Sequence, residues 1–276
     1  STAEETPKMD WAGVVTLGIA FLAIYLAIDE VGALAAANWG LVAILVVIAV
    51  VFFVIFWNIE SRKKDPMVTT HYLKQRRTWG LLLTTLLTMT GVFAIMNGVV
   101  PAIAQDPVMG VDMKPDMVSF ATLTPYALLG LCFGPVAGVL ASKFGYRSVL
   151  RAGLIVSIAG VLFGIFLSNN ASIPSLVIIS VVLGIAYAGT ANIMLNGLGI
   201  VLSPEDNPGY LPGMNAGAFN LGAGLSFAVL YAVMDAFAMN GAQVGYSAAM
   251  IASAVLLGAA LLVSLFIPKP SDADNS

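Results

Sequence analysis

One cysteine, one histidine and a charged content of only 10% set the first limits on this 276-residue chain. Cys132 lies in an apolar run and cannot form an internal disulfide. His71 alone gives no basis for a histidine metal site or a Ser/His/Asp catalytic set. There is no phosphate-binding Gly-Lys-Ser/Thr loop, so neither an enzyme nor an ATP-driven pump is indicated and no cofactor is called for. Any energy source has to be an ion gradient, with protons the expected carrier. A net charge of −3 does not suggest a nucleic-acid partner. Residues 1–10 are polar and acidic, with no visible cleavable signal peptide, and the start at Ser1 points to a processed or excised piece.

The chain is instead rich in apolar residues: 59% are hydrophobic and the mean hydropathy is +0.93. A soluble domain is about 45–50% apolar and about 25% charged, so polar surface here is too scarce for water to be the solvent. Disorder is excluded for the same reason. Eight apolar runs are long enough to cross a hydrocarbon core of about 30 Å as helices. They cover Trp11–Ile28, Trp39–Trp57, Trp79–Ala104, Met117–Ala141, Val149–Leu167, Ser175–Leu202, Gly213–Met239 and Tyr246–Ile267. The runs do not alternate as barrel strands do. The fold class is an all-α polytopic membrane protein. Trp11, Trp39, Trp57, Trp79 and Tyr246 sit at run ends as interface anchors.

An even span count puts both termini on one side. Eleven of the twelve Lys/Arg then share that side, and only Lys114 lies opposite. The basic set comprises Lys8, the connection 60–78 with Arg62, Lys63, Lys64, Lys74, Arg76 and Arg77, the cluster Lys143, Arg147 and Arg151, and Lys269. The positive-inside rule makes this face cytoplasmic, in the cell membrane. Met67, Val68, Tyr72 and Leu73 could form a short surface helix within 60–78, where Pro66 and the charges exclude a ninth span and His71 reads as a solvated loop residue.

Phe93-Ala94-Ile95-Met96-Asn97-Gly98 in the third run is echoed by Asn192-Ile193-Met194-Leu195-Asn196-Gly197 in the sixth. Runs three apart point in opposite directions, so spans three to five and six to eight form a candidate inverted pair. The expected organisation is a tail with two helices (1–59), a basic connection (60–78), a six-helix unit of three plus three (79–267) and a cytoplasmic tail (268–276).

Several residues in the spans invite two readings each. Gly130, Gly134 and Gly138, with Pro135 among them, and Gly213 with Gly217 are small faces suited to close helix packing, or to sliding and bending during a transport cycle. Gly222 and Gly224 thin the seventh span further. Asp235 is the one acid clearly inside a span; it either reaches the outer interface or faces a cavity as a proton or cation coupling group. Asn97, Asn192, Asn196, Asn215 and Asn220 are unfavourable toward lipid. They bond between helices, or line a cavity with Met96, Tyr126, Phe133, Tyr187 and Met194 that suits a bulky amphipathic ligand.

The stretch Gly138-Val139-Leu140-Ala141-Ser142-Lys143-Phe144-Gly145-Tyr146-Arg147 resembles the loop signature of the major facilitator superfamily, G-x-L-a-D-[RK]-x-G-[RK]-[RK]. Gly138, Lys143, Gly145 and Arg147 match; Ser142 replaces the usual Asp, and Tyr146 a common basic residue. The loss of the acid puts a strong gating salt bridge at this loop in doubt. That loop joins the second and third helices of a six-helix half, the same place it takes in the unit above. The extra helix pair, the run Trp57–Met67 and the segment Ser203–Gly209 resemble the 14-helix drug:proton antiporters of the superfamily. The resemblance implies the central helix pair plus the C-terminal half of a proton-coupled multidrug exporter. Its partners would be the bilayer, a small amphipathic substrate and an N-terminal six-helix half on the same or another chain. A major facilitator carrier of a sugar, peptide or metabolite is the first alternative, and a non-transporting assembly partner the second.

Overall fold

The computed structural model describes residues 11–31, 38–62 and 70–275. Lys8, Lys63, Lys64, Pro66, Met67 and Val68, singled out above, lie outside them. Every regular element among the described residues is helical, and eight helical spans are long and apolar enough to cross a membrane. They divide into two compact units, Ser1–Gln75 and Arg76–Ser276.

The first unit pairs α1 (Trp11–Val31) with α2 (Trp39–Arg62). Ala20, Ala23 and Ala27 of α1 and Ala49 and Phe56 of α2 are buried, so small side chains let the two backbones approach. Asn38 caps α2 by accepting from the Leu41 N–H at 3.1 Å. A short helix, α3 (Thr70–Leu73), ends the unit.

In the second unit the third span is composite: α4 (Arg76–Ala94), a π-helical stretch π1 (Ile95–Val99) and α5 (Val100–Gln105). The fourth joins α6 (Pro115–Ala121) to α7 (Leu123–Phe144), which continues through Pro135. The fifth is α8 (Tyr146–Asn169). The sixth is again composite, with α9 (Ile173–Leu183), π2 (Gly184–Ala191) and α10 (Asn192–Val201). α11 (Tyr210–Phe237) and α12 (Ala242–Ser264) complete the bundle.

The packing has a definite pattern. α4 packs on α11 and α12, α7 and α8 pack on π2, and α8 packs on α12. Exchanging spans three, four and five with six, seven and eight maps these contacts onto themselves.

A π-turn widens the helix by one residue and takes backbone groups out of the i−4 ladder, and in a membrane interior those groups need new partners. Around π1 they are supplied by neighbouring helices. Ser226 of α11 accepts from the Ala94 N–H at 2.8 Å, and Ser253 of α12 donates to the Gly91 carbonyl. Both serines are fully buried. In π2, Thr190 donates to the Ile185 carbonyl at 2.8 Å.

The glycine faces meet neighbours within this chain only in part. A Cβ on Gly130 would sit 2.7 Å from the Ala188 Cβ, so α7 does meet π2 there. At Gly134, Gly138, Gly213 and Gly217 a Cβ would meet nothing within 4 Å. Residues four apart advance by about 40° around a helix, so Gly138 has rotated by about 80° from Gly130 and out of the contact. Close approach of α4 and α11 uses Gly222, where a Cβ would fall 2.5 Å from the Met89 Cβ.

Candidate functional site

The amide side chains separate into an interior set and an open-face set. Asn215 is 2% exposed and sits between three helices. Its Oδ1 accepts from Thr85 Oγ1 of α4 at 2.6 Å, and its Nδ2 donates to the Leu195 carbonyl of α10 at 3.1 Å. Both ends are satisfied inside the bundle, so Asn215 is an interhelical tie and does not line a cavity. Met96 and Met194 are 1% exposed and Tyr187 is 5% exposed. The Tyr187 hydroxyl donates to the Met89 sulfur at 2.6 Å, linking π2 to α4. These residues belong to the core, because the faces of spans three and six that carry them turn toward their neighbours. Tyr126 and Phe133 are half-buried where α7 lies against π2, beside Gly184 and Gly189 respectively.

The open-face set is different. Asn97, Asn196, Asn220 and Asp235 are exposed, and Asn192 is half-buried. Among the described residues Asn97 donates only to the Phe93 carbonyl, one turn back in its own span (2.9 Å). Asn196 donates to the Asn192 carbonyl at 2.9 Å and to Asn192 Oδ1 at 3.3 Å, making a short amide ladder on α10. Asn220 and Asp235 have no hydrogen-bond partner among the described residues.

Along α11, Gly213, Gly217, Asn220, Gly224, Tyr231 and Asp235 recur at spacings of three, four or seven residues and therefore share one stripe of the helix. Three of these are glycines with open space over them. The stripe is thus a shallow, backbone-rich trough with one amide in its course and one carboxylate near its end.

Aromatic rings stand beside this trough. Phe93 of α4 meets Phe227 edge-on with centroids 5.7 Å apart, and Phe227 stacks on Tyr231, also at 5.7 Å. The Tyr231 hydroxyl rests on Gly98 of π1: a Cβ there would lie 2.3 Å from it. The missing side chain at Gly98 lets the ring settle on the helix next to Asn97. All three rings are half-buried and can present an edge or face to a ligand. The echo between runs three and six drew attention to Asn97 and Gly98. Phe93 belongs to that echo, whereas Phe227, Tyr231, Ser226 and Ser253 carry no sequence signal beyond being ordinary residues in an apolar run.

At the basic end of the bundle, Gly145 terminates α7 with φ +87°, a conformation that favours glycine. Ser142 is exposed and donates to the Val139 carbonyl of its own helix, 2.7 Å away. Lys143 is exposed. Arg147 and Arg151 donate to the carbonyls of Ile267 (3.2 Å) and Ser264 (3.1 Å) at the end of α12. Cations at a helix C-terminus complement its dipole and satisfy its free carbonyls, so among the described residues the loop ties α8 to α12 without a carboxylate.

At the opposite end, Asp106 organises the connection after α5. Its Oδ1 accepts from the N–H groups of Val108 and Met109, and its Oδ2 from the Tyr246 hydroxyl at 2.7 Å. These donors favour the ionised form and hold the carboxyl below its ordinary pKa of 3.8.

The profile of the Major Facilitator Superfamily matches residues 11–227 and 100–276. A uridine/deoxyuridine transporter of Lactococcus lactis subsp. cremoris (strain MG1363) is 53% identical over 278 residues. The match takes in 99% of this chain and 58% of that relative, so the chain spans somewhat over half of its length. With eight apolar helical spans, a symmetric six-helix packing pattern and a profile match across nearly its whole length, the chain belongs to the Major Facilitator Superfamily, a family of non-enzymatic membrane transporters.

Proposed function

We propose that the chain is the C-terminal part of a transporter for a small polar solute of the pyrimidine nucleoside class, working with an N-terminal six-helix half. One observation carries this reading. Asn97, Asn196, Asn220 and Asp235 stand exposed on one half-bundle in segments that otherwise prefer lipid. Turned to acyl chains they would each be costly, so their face is the one shielded from lipid: a polar path closed by another set of helices. The amides can pair with the imide edge of a pyrimidine and with sugar hydroxyls, and Phe93, Phe227 and Tyr231 can stack on the base. The relative's substrates, uridine and deoxyuridine, supply the nucleoside class.

The multidrug reading fares worse. Its soft, permissive wall depended on Met96 and Met194, and both are sealed in the core. The relative is a nucleoside transporter. Within the same proposal, Asp235 is the coupling group in this half, a proton gradient drives the cycle, and the basic connections face the cytoplasm. The self-mapping contacts of the six-helix unit support the inverted three-plus-three reading.

The test is uptake of radiolabelled uridine into proteoliposomes. The chain alone should transport nothing, and the chain joined to a six-helix half should accumulate uridine, with a protonophore abolishing accumulation. Efflux of ethidium without uridine uptake would overturn the assignment.

A further inference from the structure

The basic end of the second unit holds two adjoining spaces that the substrate path does not use. One is a polar cleft of about 300 Å³ between the α7–α8 turn and the segment after α12; Tyr146, Arg147, Ser148, Lys269 and Ser271 line it. The other is an apolar groove of about 370 Å³ between α7, α8 and π2, lined by Phe133, Leu140, Phe144, Ala152, Val156 and Ile185 among others. Phe144 and Ser148 belong to both, so the two spaces adjoin.

From this geometry we infer a binding site for one anionic phospholipid, with its phosphate in the cleft and one acyl chain in the groove. Two cations and, among the described residues, no carboxylate line the cleft; Asp272, next along the terminal turn, is not part of its wall. Arg147 is fixed in place by its bond to the Ile267 carbonyl, whereas the exposed Lys269 ammonium has no partner among the described residues. A headgroup with net negative charge fits this lining, and a zwitterionic headgroup brings its own cation against Arg147 and Lys269. The groove runs from Phe144 to Phe133, about 16 Å at helical rise. That is roughly half of a hydrocarbon core of about 30 Å, the depth of one leaflet. Its exposed rim, including Phe144, Ala152 and Val156, opens sideways to the bilayer, where a lipid can enter. A bound lipid would bridge the turn and the C-terminal segment, adding to the grip of Arg147 and Arg151 on α12.

The intact chain, purified in detergent, is titrated by native mass spectrometry with dioleoyl phosphatidylglycerol, dioleoyl phosphatidylcholine and sn-glycerol 3-phosphate. Phosphatidylglycerol should bind about tenfold more tightly than phosphatidylcholine, and glycerol phosphate not at all at the same concentrations. Lys269→Glu should remove about tenfold of the phosphatidylglycerol affinity and leave phosphatidylcholine unchanged. Ala152→Trp, which fills the groove, should weaken both lipids. Both positions are exposed, and size-exclusion profiles should stay as in the parent. Equal affinity for the two lipids, undiminished phosphatidylglycerol binding in both variants, or glycerol phosphate binding as tightly as the lipid would each overturn the site.

Discussion

Gly98→Ala tests the aromatic side of the substrate face. The new Cβ would lie 2.3 Å from the Tyr231 hydroxyl oxygen, 3.0 Å from its Cζ and 3.1 Å from Phe227 Cε1. Ordinary contacts begin at 3.4 Å, so the hydroxyl must retreat by about 1 Å. Tyr231 is half-buried, so its ring has an exposed side toward which it can swing. Such overpacking costs about 1–3 kcal/mol, and the lost stacking on Phe227 accounts for about 0.5–1.5 kcal/mol of that. We expect the lower part of this range, roughly 1–2 kcal/mol, because the ring can escape. The melting temperature should fall by about 2–4 °C per kcal/mol for a chain of this size. Nucleoside affinity should fall about tenfold as the ring leaves its place beside Asn97.

The partner variant makes the test specific. Tyr231→Phe removes the 2.3 Å contact and leaves 3.0 and 3.1 Å as the tightest. Gly98→Ala combined with Tyr231→Phe should therefore recover most of the stability, with a coupling of about 1 kcal/mol in a double-mutant cycle. The assays are thermal unfolding in detergent and competition uptake in the joined transporter. A Gly98→Ala protein with unchanged melting and unchanged uptake, or strict additivity with Tyr231→Phe, would refute the placement of Tyr231 on Gly98 and its role beside Asn97.

Asn215→Leu should destabilise the bundle by about 1–3 kcal/mol, because Thr85 and the Leu195 carbonyl lose a buried partner. Asn220→Leu should leave melting within about 0.5 kcal/mol yet lower uridine uptake, and the reverse pattern would exchange their roles. Asp235→Asn should reduce accumulation driven by a pH gradient while leaving uridine counterflow intact; unchanged pH dependence would remove it as the coupling group. Asp106 has a folded pKa below its unfolded one, so its contribution is present above the unfolded pKa and is lost as pH falls through the folded value. The parent should therefore lose more stability than Asp106→Asn between about pH 5 and about pH 3, measured as melting temperature against pH. Gly145→Ala, at φ +87°, should cost about 1–2 kcal/mol and loosen the turn, read out as faster proteolysis between α7 and α8.

The spans were legible because hydropathy acts one residue at a time. Every run read from the sequence ends within a few residues of a helical span in the structure. Local conformational demand was legible too: only glycine readily takes the φ at position 145, and the turn could be placed from it. The paired extra helices and the six-helix unit followed from the order of these runs and the family motif.

Orientation about each helix axis was not legible in the same way. Asn97 and Asn215 are the same residue in equally apolar surroundings, yet one is exposed and the other is 2% exposed between three helices. Lipid tails are as apolar as leucine, so an apolar stripe does not mark the protein-facing side as it does in water. The four-residue glycine repeat is limited for a related reason, since it records spacing along one helix but not where the neighbour crosses.

Sequence alone determined that this chain dissolves in a bilayer, how many times it can cross, and which connections carry its positive charge, because transfer free energies sum residue by residue. Tertiary structure decided where spans three and six open into π-turns. The groups released around π1 are held by Ser226 and Ser253, residues more than 130 positions away in the chain. It also decided which amides become ties and which stay exposed. Those outcomes depend on contacts between distant segments, and a carbonyl or an amide has no preferred partner until the helices around it are in place.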